Sequence, residues 1–138
     1  MRHVIILFVF LACVACREDS ATPGTPINDD FDPNQATLLR SGTMMGVGHT
    51  VSGTASIYEQ AGKKVVHLSP YMSQNGPDLR VYLSKDGDAI EYINLGKLKS
   101  ITGNQSYEVP GDPDISQYKF VIIWCQEFTV LFGVAETR

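Results

Sequence analysis

The side chain of Cys125 could take part in more kinds of chemistry than any other in this sequence. It is singled out among the cysteines because the other two both lie within the first sixteen residues. A thiolate can undergo redox chemistry, ligate a metal or haem iron, or form a disulfide bridge to another chain. Free cysteines are also among the most buried residue types and often serve as small apolar residues. Its neighbours Trp124 and Phe128 favour burial, so both interpretations stay open.

Histidine and methionine residues are the other candidate ligands. His49 follows the turn Gly46-Val47-Gly48 and is the first residue of an alternating strand pattern. It could be a second ligand or a proton partner, or it could only form hydrogen bonds with the local backbone. Met44 and Met45 carry thioethers that suit copper or haem iron. Because adjacent strand residues face opposite ways, at most one of them can point into a site. His67 lies between two apolar residues and is predicted to be an ordinary residue of a strand face.

Several functional classes are disfavoured by the composition and motifs. The net charge of −4 and the lack of a basic stripe argue against nucleic acid as a partner. The sequence has no nucleophile elbow, phosphate-binding glycine loop or metalloprotease helix, so we predict that the protein is not an enzyme. The pairs Asp86/Asp88 and Asp112/Asp114 lack the further ligands of a calcium loop. Asp78 is predicted to start a strand by bonding nearby backbone.

Cys125 ends the stretch around which the sequence is organised, residues 118–125. Six consecutive apolar or aromatic residues there include the only tryptophan. A strand with no polar face is typical of one buried on both sides, and its β-branched and aromatic residues suit a sheet. Gln126 and Glu127 form the polar break of a hairpin into an alternating strand at 128–134.

Alternating patterns predict strands along the rest of the domain, and no stretch has the period of a long helix. The predicted strands cover 37–45, 49–59, 64–68, 79–84, 92–98, 104–110, 118–125 and 128–134. About eight short strands within about 100 residues indicate a sandwich or a closed barrel. We predict an all-β protein with a single antiparallel β-sandwich.

The N-terminus has the pattern of a targeting segment. Arg2 and His3 precede an unbroken apolar run, Val4–Val14, which is too short to span a bilayer because a span takes about 20 residues. Small residues then precede Cys16, and the chain turns polar. This resembles a bacterial lipoprotein signal, in which the cysteine becomes the lipidated first residue. Cys16 is the predicted site and Cys13 the alternative, and an ordinary secretory signal is the remaining interpretation.

The predicted organisation has three parts. A signal peptide covers 1–15, a lipidated cysteine and flexible linker cover 16–35, and the β-sandwich domain covers 36–138. The linker is predicted because prolines and aspartates interrupt any apolar period. The lipid anchor makes a membrane the predicted partner and places the domain outside the cytoplasm, in the bacterial cell envelope, with the outer membrane favoured.

Five motifs, in this order, resemble the DM-thirteen domain, a small extracellular β module that accompanies DOMON domains in animal proteins and occurs alone in bacterial lipoproteins. They lie within 49–55, 76–83, 95–99, 103–107 and 122–135, and the resemblance covers roughly residues 38–136. It implies a β-sandwich and an electron-transfer role centred on Cys125, which matches the cysteine of the family. His49 matches a histidine of the first motif.

The resemblance leaves the cofactor and the redox partner protein unidentified, and haem is one candidate cofactor. The alternative function is a non-catalytic extracellular binding or adhesion module. In that case Cys125 is only a core residue, and the loops bind the partner.

Overall fold

Two five-stranded sheets pack face to face in the structure, a computed structural model that describes residues 21–138. The predicted signal peptide, the candidate lipidation sites Cys13 and Cys16, and the first residues of the predicted linker lie outside the described residues. Within the described part, no helix is long and apolar enough to cross a membrane.

The structure confirms the predicted all-β sandwich. The strands are β1 (Ile27–Asn28), β2 (Thr37–Thr43), β3 (Met45–Gly46), β4 (Val51–Gln60), β5 (Lys63–Ser73), β6 (Leu79–Ser84), β7 (Tyr92–Lys97), β8 (Thr102–Glu108), β9 (Phe120–Cys125) and β10 (Val130–Glu136), and a 3-10 turn covers Pro33–Gln35. The first sheet has the order β1-β8-β5-β4-β2 and the second β3-β10-β9-β6-β7. Neighbouring strands are antiparallel, apart from the parallel pair β1 and β8.

The described residues contain ten strands where the sequence predicts about eight. The additional strands, β1 and β3, are two-residue edge strands, too short for an alternating pattern. Strand β5 also continues past Leu68, where the prediction ends it, as far as Ser73. A register shift between Leu68 and Tyr71 accommodates Pro70, because bulges are among the places where a sheet tolerates proline.

The apolar stretch that organises the sequence forms β9, the middle strand of the second sheet. Val121, Ile123 and Cys125 point into the core between the two sheets. Ile122 is equally buried but belongs to the opposite face, where Trp124 is half-buried. The strand is therefore covered on both faces along most of its length, as its lack of polar residues predicts.

Part of the predicted flexible linker is bonded to the domain. Residues 21–36, which we call the strap, pair with β8 through β1 at one edge of the first sheet. They then cross its outer face, where Phe31 packs on Tyr58 and His67, to reach β2 at the opposite edge. Ser100 Oγ donates to the carbonyls of Pro23 at 3.1 Å and Thr25 at 2.7 Å. The Asp29 carboxylate accepts from the N–H and the hydroxyl of Ser106 at 2.6 and 2.7 Å. Specific polar contacts thus fix a segment that has no apolar pattern of its own.

Candidate functional site

Cys125 lies at one end of the sandwich, beneath a loop. In the sheet it pairs with Leu79 on β6 and Val130 on β10. The side chain is 0% exposed, and the Sγ–H donates to the Pro77 carbonyl at 3.1 Å. Residues 74–78, which we call the cap loop, therefore close the space above the sulfur and hold the residue as a hydrogen-bonded thiol.

The start of the strap holds the cap loop in place. The Thr22 N–H donates to Asn75 Oδ1 at 3.2 Å, and Asn75 Nδ2 donates back to the Thr22 carbonyl at 3.0 Å. The same Oδ1 accepts the N–H of Gly76 at 2.8 Å. Ala21 forms a β-bridge with Pro77, whose carbonyl bonds the thiol. The cap loop is thus attached through a few polar contacts.

Phe132 connects the cap loop with His49. A Cβ at Gly76 would lie 3.1 Å from Phe132 Cζ and 3.1 Å from Leu79 Cδ2, so the cap loop packs closely on both side chains. On Phe132, the His49 imidazole stacks with ring centroids 3.7 Å apart and planes 11° from parallel. The structure therefore brings His49 to the same end as Cys125, but no hydrogen bond joins the two among the described residues.

The closed site does not fit a haem. A thiolate and an imidazole are suitable iron ligands. However, Cys125 Sγ faces the Pro77 carbonyl, and Leu79 and Phe132 pack closely beneath the cap loop. In residues 21–138, no group of three or more His, Cys, Asp or Glu side chains is placed to hold a metal ion. A cofactor would reach the sulfur only after the cap loop moves.

The methionines and His67 lie in structural positions. Met44 is buried in the core and Met45 is exposed on the other side, as their adjacency predicts. His67 is confirmed as a residue of a strand face, on β5. There it packs beside Phe31 of the strap, with ring centroids 5.0 Å apart, and Tyr58 at 6.3 Å. Among the described residues, neither methionine is hydrogen-bonded to Cys125. His67 lies on the outer face of the first sheet, where the strap covers it.

The aspartates of the loops form ion pairs and hydrogen bonds within the domain. Asp78 binds Arg80 through both oxygens, at 2.7 and 3.0 Å, and this bidentate pairing lowers the pKa of its carboxyl group. Asp86 accepts three backbone N–H groups of its own loop, and Asp112 pairs with Lys64. The prediction that Asp78 bonds nearby backbone is wrong, because both of its carboxylate oxygens pair with the Arg80 side chain instead.

An aromatic cluster on the outer face of the second sheet has no counterpart in the sequence-based prediction. Tyr82 stacks on Tyr92 with ring centroids 4.1 Å apart and lies 6.2 Å from the ring of Trp124. Its hydroxyl donates to Gln126 Oε1 at 2.6 Å, and burial, followed by the influence of Tyr92, raises its pKa to about 12. The sequence carried one signal for this cluster. Side chains alternate between the two faces of β9, and this alternation places Trp124 on the face opposite Cys125.

Comparison with known proteins identifies the family. The family described as "Electron transfer DM13" matches residues 44–137, well over half of the chain. The match contains Cys125 and His49 and begins after the strap. No curated protein and no solved structure matches the chain. The chain belongs to the Electron transfer DM13 family.

Proposed function

We propose that this protein is a lipid-anchored protein of the bacterial cell envelope whose DM13 domain transfers electrons at Cys125. The family supplies the reaction class. The observation that carries the proposal is the position of Cys125, the only cysteine of the described domain. It ends the central strand beneath a loop fastened by the side chain of Asn75, so a local movement would expose the sulfur without separating the sheets.

The proposed anchor is supported by the N-terminal sequence. The apolar run Val4–Val14 is followed by Cys16, and Ala21, five residues after that cysteine, is bridged to the domain at Pro77. Each buried CH₂ of an acyl chain contributes roughly 0.8 kcal/mol to membrane binding, so several chains anchor a protein stably. The domain is then outside the cytoplasm, with the outer membrane as the favoured membrane and a second protein as redox partner.

The chain would contribute two groups to the redox site. The Cys125 sulfur is the electron-carrying or ligating atom once its bond to the Pro77 carbonyl is broken. His49, which stacks on the Phe132 ring at the same end of the sandwich, is the candidate for a second ligand or a proton partner. A haem or metal would bind only the open form, because Leu79 and Phe132 pack closely beneath the closed loop.

Haem titration of the purified protein beside its Cys125→Ser variant tests this proposal. We expect a Soret shift in the wild type that the variant lacks, because the hydroxyl that replaces the thiol is a poor ligand to haem iron. His49→Gln should weaken the shift without abolishing it. Equal spectra for wild type and Cys125→Ser would contradict the role of Cys125 as a haem ligand.

A binding or adhesion module is the second candidate function, and the complete burial of Cys125 favours it. In that case the thiol should resist labelling until the domain is unfolded. Cys125→Ser should then cost about 1 kcal/mol of stability, typical of a point substitution, and leave partner binding intact. Rapid labelling of the native thiol would argue against this alternative.

A further inference from the structure

One end of the sandwich brings three loops together, and we call it the Cys125 end. Cys125 is the last residue of β9 and pairs with Leu79, the first residue of β6. The turn 126–129 and the cap loop are therefore neighbours, and the Gln126 N–H donates to the cap loop at 3.0 Å. A backbone hydrogen bond of 2.8 Å also joins the cap loop to loop 47–50.

The Cys125 end exposes apolar side chains. Phe128, in the turn between β9 and β10, is 65% exposed, and Val47 and Val130 are 41% and 38% exposed. Exposed apolar groups that cluster at one place indicate an interaction surface. The acidic residues of the three loops are Glu127 and Asp78, and Asp78 is neutralised by its ion pair within the domain. The surface therefore combines these apolar side chains with uncharged polar ones and one further carboxylate, Glu127.

The chain enters the domain at this same end. Ala21 is bridged to the cap loop at Pro77. Ala21 is five residues after Cys16, and each step along the chain spans at most about 3.6 Å, so the acylated cysteine lies within about 18 Å of Ala21 at the cap loop. If Cys13 is acylated instead, the limit is about 29 Å. The anchor therefore enters the bilayer near the Cys125 end.

The opposite end of the sandwich lies beyond the reach of an anchor at Cys16. Strand β6, which leads from the cap loop to the loop that carries Ile90, has six residues and spans about 20 Å at about 3.3 Å per residue, more than the limit of about 18 Å. The loop between β6 and β7 carries Ile90, which is 78% exposed, at that opposite end. The two ends thus both expose apolar side chains, but a short connection holds only one of them at the membrane.

We propose that the Cys125 end docks on the lipid bilayer, with Phe128 inserted among the acyl chains near the headgroups. This inference rests on the proposed acylation and goes beyond it, because acylation alone leaves the domain free to turn. The occupant of the apolar surface is lipid, since the length of the connecting chain brings this end to the bilayer. Aromatic side chains are favoured at this depth in a membrane.

The test uses the full acylated chain in vesicles of phosphatidylethanolamine and phosphatidylglycerol, with or without bromine on the acyl chains. The only native tryptophan is first removed by Trp124→Phe. One variant then carries Phe128→Trp, and the matched control carries Ile90→Trp, since both positions are exposed. We expect brominated lipid to quench most of the emission of Phe128→Trp and to leave Ile90→Trp unchanged.

Vesicle flotation separates failure of docking from failure of the anchor. If the protein floats with the vesicles and Phe128→Trp is not quenched, the docked orientation is overturned and the anchor stands. If both variants are quenched alike, the preference for the Cys125 end is overturned. If the protein stays in the aqueous fraction, both the proposed anchor and the docking fail. Phe128 and Ile90 are both exposed, and the two variants share the Trp124→Phe background, so a difference in quenching reports the position of the new tryptophan.

Discussion

His67 has an imidazole that folding keeps neutral. Its Nδ1 has no hydrogen-bond partner among the described residues, and the ring faces Phe31, Tyr58 and the carboxylate of Asp29. Burial lowers its pKa below the usual 6.5, and Asp29 only partly offsets this. The unfolded chain therefore takes up the proton first as the pH falls, which favours unfolding.

The free energy of unfolding should therefore depend on this histidine in a defined pH window. The contribution is fully present above pH 6.5 and is lost as the pH falls from 6.5 towards the lower pKa of the folded state. Urea denaturation at a series of pH values should show a slope in the wild type, with the free energy of unfolding decreasing as the pH falls below 6.5, and a flatter slope in His67→Gln. His49→Gln is the matched control and should retain the slope, and an unchanged slope in His67→Gln would contradict the explanation.

At the scale of elements, the side chain of Asn75 determines how often the cap loop opens. Asn75→Ala removes two hydrogen bonds to Thr22 and one to the N–H of Gly76. Each bond contributes about 1 kcal/mol, so the loop should open about tenfold or more often, and a thiol reagent should label native Cys125 correspondingly faster. Gln74→Ala is the control, because Gln74 Oε1 accepts only one long bond of 3.5 Å. Equal labelling rates in both variants would argue that the loop opens by another route.

The central strands of the fold could be predicted because the residue pattern that identifies each strand lies within that strand. The apolar run at β9 and the alternation of β4 and β6 identify strands without reference to other parts of the chain. The strap could not be predicted, since its order depends on contacts such as Ser106 to Asp29 and Ser100 to Thr25. These contacts join residues 77 and 75 positions apart.

The same distinction applies to the candidate site. Cys125 and His49 could be named from residue type, position and family resemblance. The ring of Phe132, which carries His49 and supports the cap loop, has only the appearance of a core residue in the sequence. The pairing of Asn75 with Thr22 spans 53 positions, so no local pattern indicates that the strap fastens the loop above the thiol.

At the scale of the whole molecule, the two sheets are joined along one edge as well as through the core. The N–H and carbonyl of Ser41 on β2 exchange hydrogen bonds of 3.1 Å with Arg138, which follows β10. Thr137 is buried and its N–H donates to the Lys119 carbonyl at 2.7 Å. This joint closes one side of the sandwich and requires close approach of the two backbones.

Gly42 permits that approach, and its replacement tests how much the joint contributes. A Cβ at Gly42 would lie 2.1 Å from the carbonyl oxygen of Glu136. Main-chain atoms cannot move aside as a flexible side chain does, so Gly42→Ala should separate the strands and cost about 1–3 kcal/mol, as overpacking does. Gly87→Ala is the matched control, because its nearest contact would be the Phe120 ring at 3.7 Å. Urea denaturation should show a clear loss for Gly42→Ala and little change for Gly87→Ala, and equal stabilities would mean that the core alone holds the sheets together.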